Sequence, residues 1–297
     1  MFSTALTSRY AAGLTTNTVN TPLSAEDAGR LRAFERQRHD QLATTYHDFF
    51  TPVTSLAIKP LLKAVQLRPG AYLLDVATGP GSLAVAAAKS GVKCAGVDLS
   101  PVMIQLAKNS NPGIEFRVAD VENLPFADSS FDAVVCNFGL GHFPYPEASL
   151  SECVRVLKPG GRIALSWWDD PSKQRIQGLF REAIAEIGAA PPADVPQGHA
   201  VYRFADTNEF RNLLTGADLT DVGVEDHKTT YLIPDVDTLW RGGLGSCALT
   251  GSAIAHQNAA TKAAIRAALE RRAEPYQTSV GINLPIAFKI GVGRRSN

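Results

Sequence analysis

The stretch Tyr72-Leu73-Leu74-Asp75-Val76-Ala77-Thr78-Gly79-Pro80-Gly81, followed by Ser82-Leu83-Ala84-Val85-Ala86-Ala87-Ala88-Lys89, decides how the chain is read. A short apolar run ends in an acid, a Gly-Pro-Gly turn follows, and an alanine-rich helical segment comes next. Strand, glycine turn and helix in that order open a nucleotide-binding α/β unit.

The same alternation continues outward. Strand 72–77 leads to helix 81–90, and strand 92–98 to helix 101–109, where Ser100 caps and Pro101 takes the first turn. Strand 114–119 ends at Asp120, and strand 131–137 leads to helix 146–157. Lys158-Pro159-Gly160-Gly161 reads as a turn into strand 162–168. The strands are almost continuously apolar, as a parallel sheet covered on both faces requires. Repeated βα units predict a doubly wound, mostly parallel sheet.

Before the sheet, Ser24 to Asp27 has the pattern of a capping box. Helical spacing of apolar residues predicts helices over 25–50, stopped near Thr51-Pro52, and over 54–66. These helices can fold over the nucleotide end as a lid. After residue 168 the pattern predicts a helix over 173–188, a proline-rich linker, a short helix over 206–214 and a strand over 219–227. Helices over 235–246 and 256–274 precede a last strand at 284–293. An insertion of that length exceeds an ordinary connection and reads as a substrate cap. The expected organisation is a tail (1–24), a helical lid (25–68), a core (69–228), a cap insertion (229–283) and a last strand with its tail (284–297).

The formal net charge of zero removes the electrostatic argument for nucleic acid. Arg271-Arg272 and Arg294-Arg295 read as solvated surface. No apolar run reaches membrane-spanning length, so no membrane partner is expected. The four cysteines have no metal or CxxC spacing, and Cys94 and Cys136 fall inside apolar strands. That usage suits a reducing, cytoplasmic setting. The acid-free, Ser/Thr-rich first 25 residues read as a flexible tail.

Three acids fall at equivalent places: Asp75 before the glycine turn, Asp98 ending the second strand and Asp120 ending the third. The carboxyl ends of such strands form the ligand crevice. Three carboxylates there disfavour a pyrophosphate and favour a ligand with hydroxyl and amino donors and a positive charge. Asp98 is placed to accept from ribose hydroxyls, Asp120 from an adenine amino group beside the Val121 N–H, and Asp75 to lie near an α-amino group. Gly79 and Gly81 let the backbone approach the ligand.

These motifs resemble the class I S-adenosylmethionine-dependent methyltransferases, in particular the quinone-biosynthesis and natural-product group. The matching residues are Leu-Leu-Asp-Val-Ala-Thr-Gly-Pro-Gly (73–81), Gly-Val-Asp-Leu-Ser-Pro-Val-Met (96–103), Ala-Asp-Val-Glu-Asn-Leu-Pro-Phe (119–126), Ser-Phe-Asp-Ala-Val-Val (130–135) and Arg-Val-Leu-Lys-Pro-Gly-Gly-Arg (155–162). The resemblance implies a Rossmann-like sheet of seven strands whose last strand inserts antiparallel. It implies S-adenosyl-L-methionine as cofactor, held by Asp75, Ala77, Gly79, Gly81, Asp98, Leu99, Asp120, Val121, Asn137 and Phe138, with Tyr46 over the methionine end. The chain departs from the family at Pro80, which withholds a backbone donor, and at His142, which stands alone where a histidine pair is common.

Methyl transfer from a sulfonium needs alignment and water exclusion, and a base only when the acceptor carries an acidic proton. His142, after the fourth strand, is the expected base and a substrate contact; His47 and His199 are second choices. Trp168, Tyr231 and Trp240 are expected substrate walls. No metal is expected. The expected substrate is a small, largely apolar metabolite of secondary metabolism, methylated on oxygen or carbon by a monomer or homodimer. Two alternatives share the turn: a nicotinamide-dependent oxidoreductase, since Gly79 to Ala84 fits GxGxxA, and a fold relative that binds the cofactor without transferring methyl.

Overall fold

The computed structural model describes residues 23–189, 195–196, 200–246 and 248–297. Its strands are β1 (Tyr72–Val76), β2 (Lys93–Asp98), β3 (Glu115–Val118), β4 (Phe131–Asn137), β5 (Leu157–Trp168), β6 (Leu219–Ile233), β7 (Gln277–Thr278) and β8 (Gly281–Arg295). Seven of them form one sheet in the order β3-β2-β1-β4-β5-β8-β6, and the two-residue β7 pairs with β8 beside that path. β1 pairs parallel with β2 and β4, β2 with β3 and β4 with β5, while β8 is antiparallel to both β5 and β6. This is the expected seven-stranded sheet with its last strand inserted antiparallel. Strand order reverses between β1 and β4, so a crevice opens at their carboxyl ends.

The helices are α1 (Ala25–Thr45), α2 (Thr51–Thr54), α3 (Ile58–Val65), α4 (Ser82–Ala88), α5 (Pro101–Ser110), α6 (Pro146–Val156), α7 (Arg175–Ile187), α8 (Thr207–Thr215), α9 (Val236–Ser246), α10 (Ala248–Ala255) and α11 (Ala259–Ala273). Ser24 caps α1 by accepting from the Asp27 N–H at 3.1 Å, as its spacing predicts. Helical winding does not stop at Pro52. A π turn over Tyr46–Phe50 runs directly into α2, where Pro52 occupies the first turn and its missing N–H costs no bond. The π turn sends Phe49 and Phe50 into the core.

Other boundaries differ for physical reasons. Lys158 to Gly161 is a bulge inside β5 and not a turn before it: Phe131 pairs with Leu157 and Ala133 with Arg162, so four residues lie opposite Asp132. Lys158 Nζ closes that bulge on Asp132 Oδ1 at 2.7 Å. β6 continues to Ile233 because β8 pairs with it as far as Ile282. The helix expected over 256–274 is present as α11, starting at Ala259 where Asn258 caps it by accepting from the Thr261 N–H, and α10 precedes it as a helix the pattern did not predict. Arg271 and Arg272 are not isolated surface cations; they pair with Glu186 and Glu182 and tie α11 to α7. Arg294 and Arg295 donate to the carbonyls of Gly160 and of Arg155 and Leu157. Cys94 and Cys136 are buried, and burial pushes the Cys94 thiol up to about 12. Among the described residues, no helix is long and apolar enough to cross a membrane.

Candidate active site

The carboxyl ends of β1, β2 and β4 border a crevice roofed by α1. Ala77 and Phe138, just past β1 and β4, both have left-handed backbone, with φ of 54° and 56°. Such conformations cost on the order of 1 kcal/mol in a residue with a Cβ, and they concentrate at functional sites. Here they turn the chain sharply at the crevice rim.

Asp98 closes β2 on the crevice wall. Its Oδ2 accepts from the Gly79 N–H and its Oδ1 from the Ser100 N–H, both at 2.9 Å. Burial raises its pKa, against the two N–H groups and the nearby His39 and His142. Each oxygen keeps a lone pair for a ligand donor. Gly79 has φ of 54°, and no heavy atom lies within 4 Å of the place a Cβ would occupy.

Asp120 lines the same crevice but is not free. Its Oδ2 pairs with Arg32 Nε at 3.0 Å, and its Oδ1 accepts from the Glu122 N–H at 3.0 Å. Arg32 also reaches Glu122. Leu99, Val121 and Asn137 lie on the wall as expected, and Tyr46 reaches it from the π turn. Asn137 donates to the Thr54 carbonyl and accepts from Ser166 Oγ, so its orientation is set from both sides.

Asp75 and Gly81 are not on the crevice wall. Asp75 is 1% exposed, and its Oδ2 accepts from Thr78 Oγ1 at 2.7 Å and from the Ala84 N–H at 3.1 Å. Gly81, the residue before α4, has no side chain to cap that helix, and Asp75 does so from below. Burial pushes the Asp75 carboxyl up to about 7 despite those two bonds. Its other oxygen, Oδ1, has no hydrogen-bond partner among the described residues. Gly81 is needed for packing: a Cβ would lie 2.9 Å from the Phe116 ring.

His142 stands on a 3₁₀ turn (Leu140–His142) that follows β4. Its Nδ1 lies 3.1 Å from Oε2 of Glu35, a residue of α1 that is 5% exposed. Burial works against the imidazolium, but the charge and hydrogen bond of Glu35, with the charge of Asp98, outweigh it and raise the His142 pKa. The ring of His39 meets His142 edge-on at 5.2 Å. Glu35, His39 and His142 bring ligand-type atoms within 4.8 Å of one another, a cluster with no counterpart in sequence spacing. His47 is exposed and off both cavity walls, and His199 lies outside the described residues.

A second cavity adjoins the crevice and shares Glu35, His39, Tyr46, Phe138 and His142 with it. Phe50, Trp167, Trp168 and Tyr202 add aromatic walls, and Gln177, Arg181 and Thr250 add polar groups. Trp168 stacks on Phe138 at 3.7 Å and 16°. Tyr231 and Trp240 do not reach this cavity. Tyr231 pairs with Leu284 on the edge strand β6, and Trp240 stacks on Phe180 at 6.1 Å and faces a separate cavity beside Leu42 and Ile254. Tyr202, Gln177 and Arg181 take the places expected for them. Gln177 and Arg181 lie one turn apart on α7, while Tyr202 comes from a separate segment that no motif links to that helix.

The fold and crevice define a doubly wound α/β enzyme built for a nucleoside carrying hydroxyl and amino donors. Comparison with known proteins agrees. The methyltransferase domain family matches residues 74–165. A demethylmenaquinone methyltransferase of Paenarthrobacter aurescens is 30% identical over 210 residues, covering 64% of this chain and 83% of that protein. One from Chlorobaculum parvum is 41% identical over 140 residues, covering 44% of this chain and 58% of that protein. Beyond the first of these, the chain spans 50% to 60% of the length of the relatives it matches. The crystal structure of YcgJ from Bacillus subtilis shares the fold with a TM-score of 0.53 at 20% identity, covering 82% of this chain and 99% of that one. A putative methyltransferase from Bacillus halodurans does so at 0.53 and 19%, covering 81% and 99%.

The chain belongs to the S-adenosylmethionine-dependent methyltransferases. It is an enzyme of that class, and S-adenosylmethionine is its cofactor. The crevice chemistry fits that molecule: Asp98 has open lone pairs for hydroxyl donors, and Gly79 leaves open space.

Proposed function

We propose that the protein methylates a small, planar, largely apolar metabolite of secondary metabolism, on a hydroxyl oxygen or on a carbon that such a hydroxyl activates. The observation that carries this is the second cavity: aromatic side chains from Phe50, Phe138, Trp167, Trp168 and Tyr202 wall it, and it meets the cofactor crevice at His142. Flat aromatic walls favour a flat acceptor. Several relatives bear the name demethylmenaquinone methyltransferase, which points to the same class of acceptor.

Bound S-adenosylmethionine supplies an electrophilic methyl group on a cationic sulfur. The chain's own residues do the rest. Asp98 would accept from the ribose hydroxyls, Asp120 and the Val121 N–H would hold the adenine together with Leu99 and Phe138, and Ala77, Gly79, Asn137 and Tyr46 would hold the amino-acid end. Trp168 and Phe138 set the plane of the acceptor. His142, between the two cavities, takes the proton that the acceptor loses. The segment 25–68 and the helices within 229–283 close the two cavities and keep water out.

The test is incubation with methyl-labelled S-adenosylmethionine and a metabolite extract, followed by chromatography of the low-molecular-weight fraction. Label in an aromatic hydroxy compound or its ring-methylated product is expected. Cofactor binding with no label transferred to any metabolite would instead favour the reading without methyl transfer.

A further inference from the structure

We infer that Glu35, on the N-terminal helix, is the positioning residue that holds His142 with its proton on Nδ1, so that Nε2 is the proton acceptor and the acceptor molecule is a phenol or enol. This rests on the reading of His142 as the base in methyl transfer.

Glu35 Oε2 lies 3.1 Å from His142 Nδ1, and a carboxylate can only accept. Nδ1 therefore carries the hydrogen, and the one lone pair of the neutral ring is on Nε2. The ring is also fixed in place. Trp167 meets it edge-on at 5.6 Å, and His39 at 5.2 Å from another side. The turn that carries it packs closely on the same indole, where a Cβ on Gly141 would lie 1.8 Å from the Trp167 ring. His39 lines both cavities too, but its Nδ1 lies 2.8 Å from the Glu35 carbonyl and 3.5 Å from Glu35 Oε2, so the Glu35 carboxylate sits closer to His142.

The His142 side chain is 39% exposed and lines both cavities, so an acceptor in the aromatic cavity would lie beside it. In the step, the O–H bond of the acceptor breaks, its electron pair stays on oxygen, and the proton forms a new N–H bond at Nε2. The resulting imidazolium is balanced by the buried Glu35 carboxylate. An amine acceptor, which can lose its proton after reaction, would have no need of this arrangement.

Glu35 reaches His142 only while α1 is seated on the core. Ser100 Oγ donates to Asp40 at 2.5 Å and Arg32 bridges to Asp120, so both anchors of that helix lie on the crevice. The base is complete when the roof is closed.

The test is imidazole nitrogen NMR on the full chain, ¹⁵N-labelled at histidine, titrated with S-adenosylhomocysteine bound, with His142→Gln giving the assignment. Wild-type neutral His142 is expected as the Nδ1–H form. Glu35→Gln is expected to lower its pKa and mix the two forms, and Glu35→Asp to restore the charge in part. With 2-naphthol as acceptor probe, Glu35→Gln should lower kcat by roughly 10²-fold, with the KM for S-adenosylmethionine within about twofold. If Glu35→Gln does not fold, Glu35→Asp carries the same comparison. An Nε2–H form in the wild type, or identical titrations in wild type and variant, would overturn the inference. So would a stoichiometric divalent metal that the wild type holds and Glu35→Gln loses, with activity abolished by chelator. The expected NMR result with no methylation of any phenol or enol would leave the tautomer assignment standing and sink the proposed function.

Discussion

Replacing Asp98 by alanine tests the cofactor end of the site. In the wild type its two oxygens accept from the Gly79 and Ser100 N–H groups and keep one lone pair each for the ribose. Hydrogen bonds to a charged group contribute roughly 1.5–3 kcal/mol apiece. Losing both ribose bonds, less what water restores, costs on the order of 2–4 kcal/mol. At about 1.4 kcal/mol per tenfold, the Kd for S-adenosylmethionine rises roughly 30- to 700-fold. The two backbone N–H groups are left without their acceptor, so a fall in melting temperature is also expected. Isothermal titration calorimetry with wild type and Asp98→Ala reads the affinity, and Asp98→Asn separates size from charge. A folded Asp98→Ala protein that binds S-adenosylmethionine within about threefold of wild type would refute the assignment of Asp98 to the ribose.

Four further outcomes follow from the same geometry. Arg32→Ala releases Asp120 Oδ2, and since a partly exposed ion pair is worth about 0–1 kcal/mol, cofactor affinity should tighten by up to about fivefold; weaker binding would mean that Arg32 itself holds the cofactor. Asp75, with its folded pKa raised from 3.8 to about 7, favours the fold fully below pH 3.8 and loses that contribution as pH rises through 7. The melting temperature of Asp75→Asn should therefore vary less between pH 4 and 7 than that of wild type, and parallel profiles would contradict the burial of this carboxyl. Trp168→Leu should raise the KM for 2-naphthol about tenfold with cofactor affinity unchanged, because it removes the stack on Phe138. Trp240→Phe should leave both within about twofold, because Trp240 faces another cavity; a large effect there would restore it to the substrate wall.

The core was legible from sequence because its signals are local. Apolar runs ending in acids define β1 and β2, an apolar run ending in Asn137 defines β4, and Asp98, Gly79 and Val121 follow from their places at strand ends. The sequence placed Asp75 at the right strand end but on the wrong face. The absence of a capping side chain at Gly81 was the available sign that another residue had to accept the Ala84 N–H. The Lys158 to Gly161 bulge looks like a turn in composition and differs only in what it pairs with. Glu35 and Arg32 lie on one helix far from the motifs, and only the docking of that helix brings them to His142 and Asp120. The acceptor cavity was least legible. Its walls come from the π turn, β5, α7, α10 and the segment around Tyr202, and a π turn has no distinctive sequence mark.

The central claim is that the aromatic cavity beside His142 receives a flat hydroxylated acceptor for methyl transfer. Its most direct test is mass spectrometry of 2-naphthol and 1,4-naphthohydroquinone after incubation with trideuteromethyl S-adenosylmethionine and the full chain. A gain of one trideuteromethyl group on the acceptor, absent with Trp168→Leu or His142→Gln, is expected. S-adenosylmethionine bound tightly but transferred to no phenol, enol or hydroquinone would contradict it.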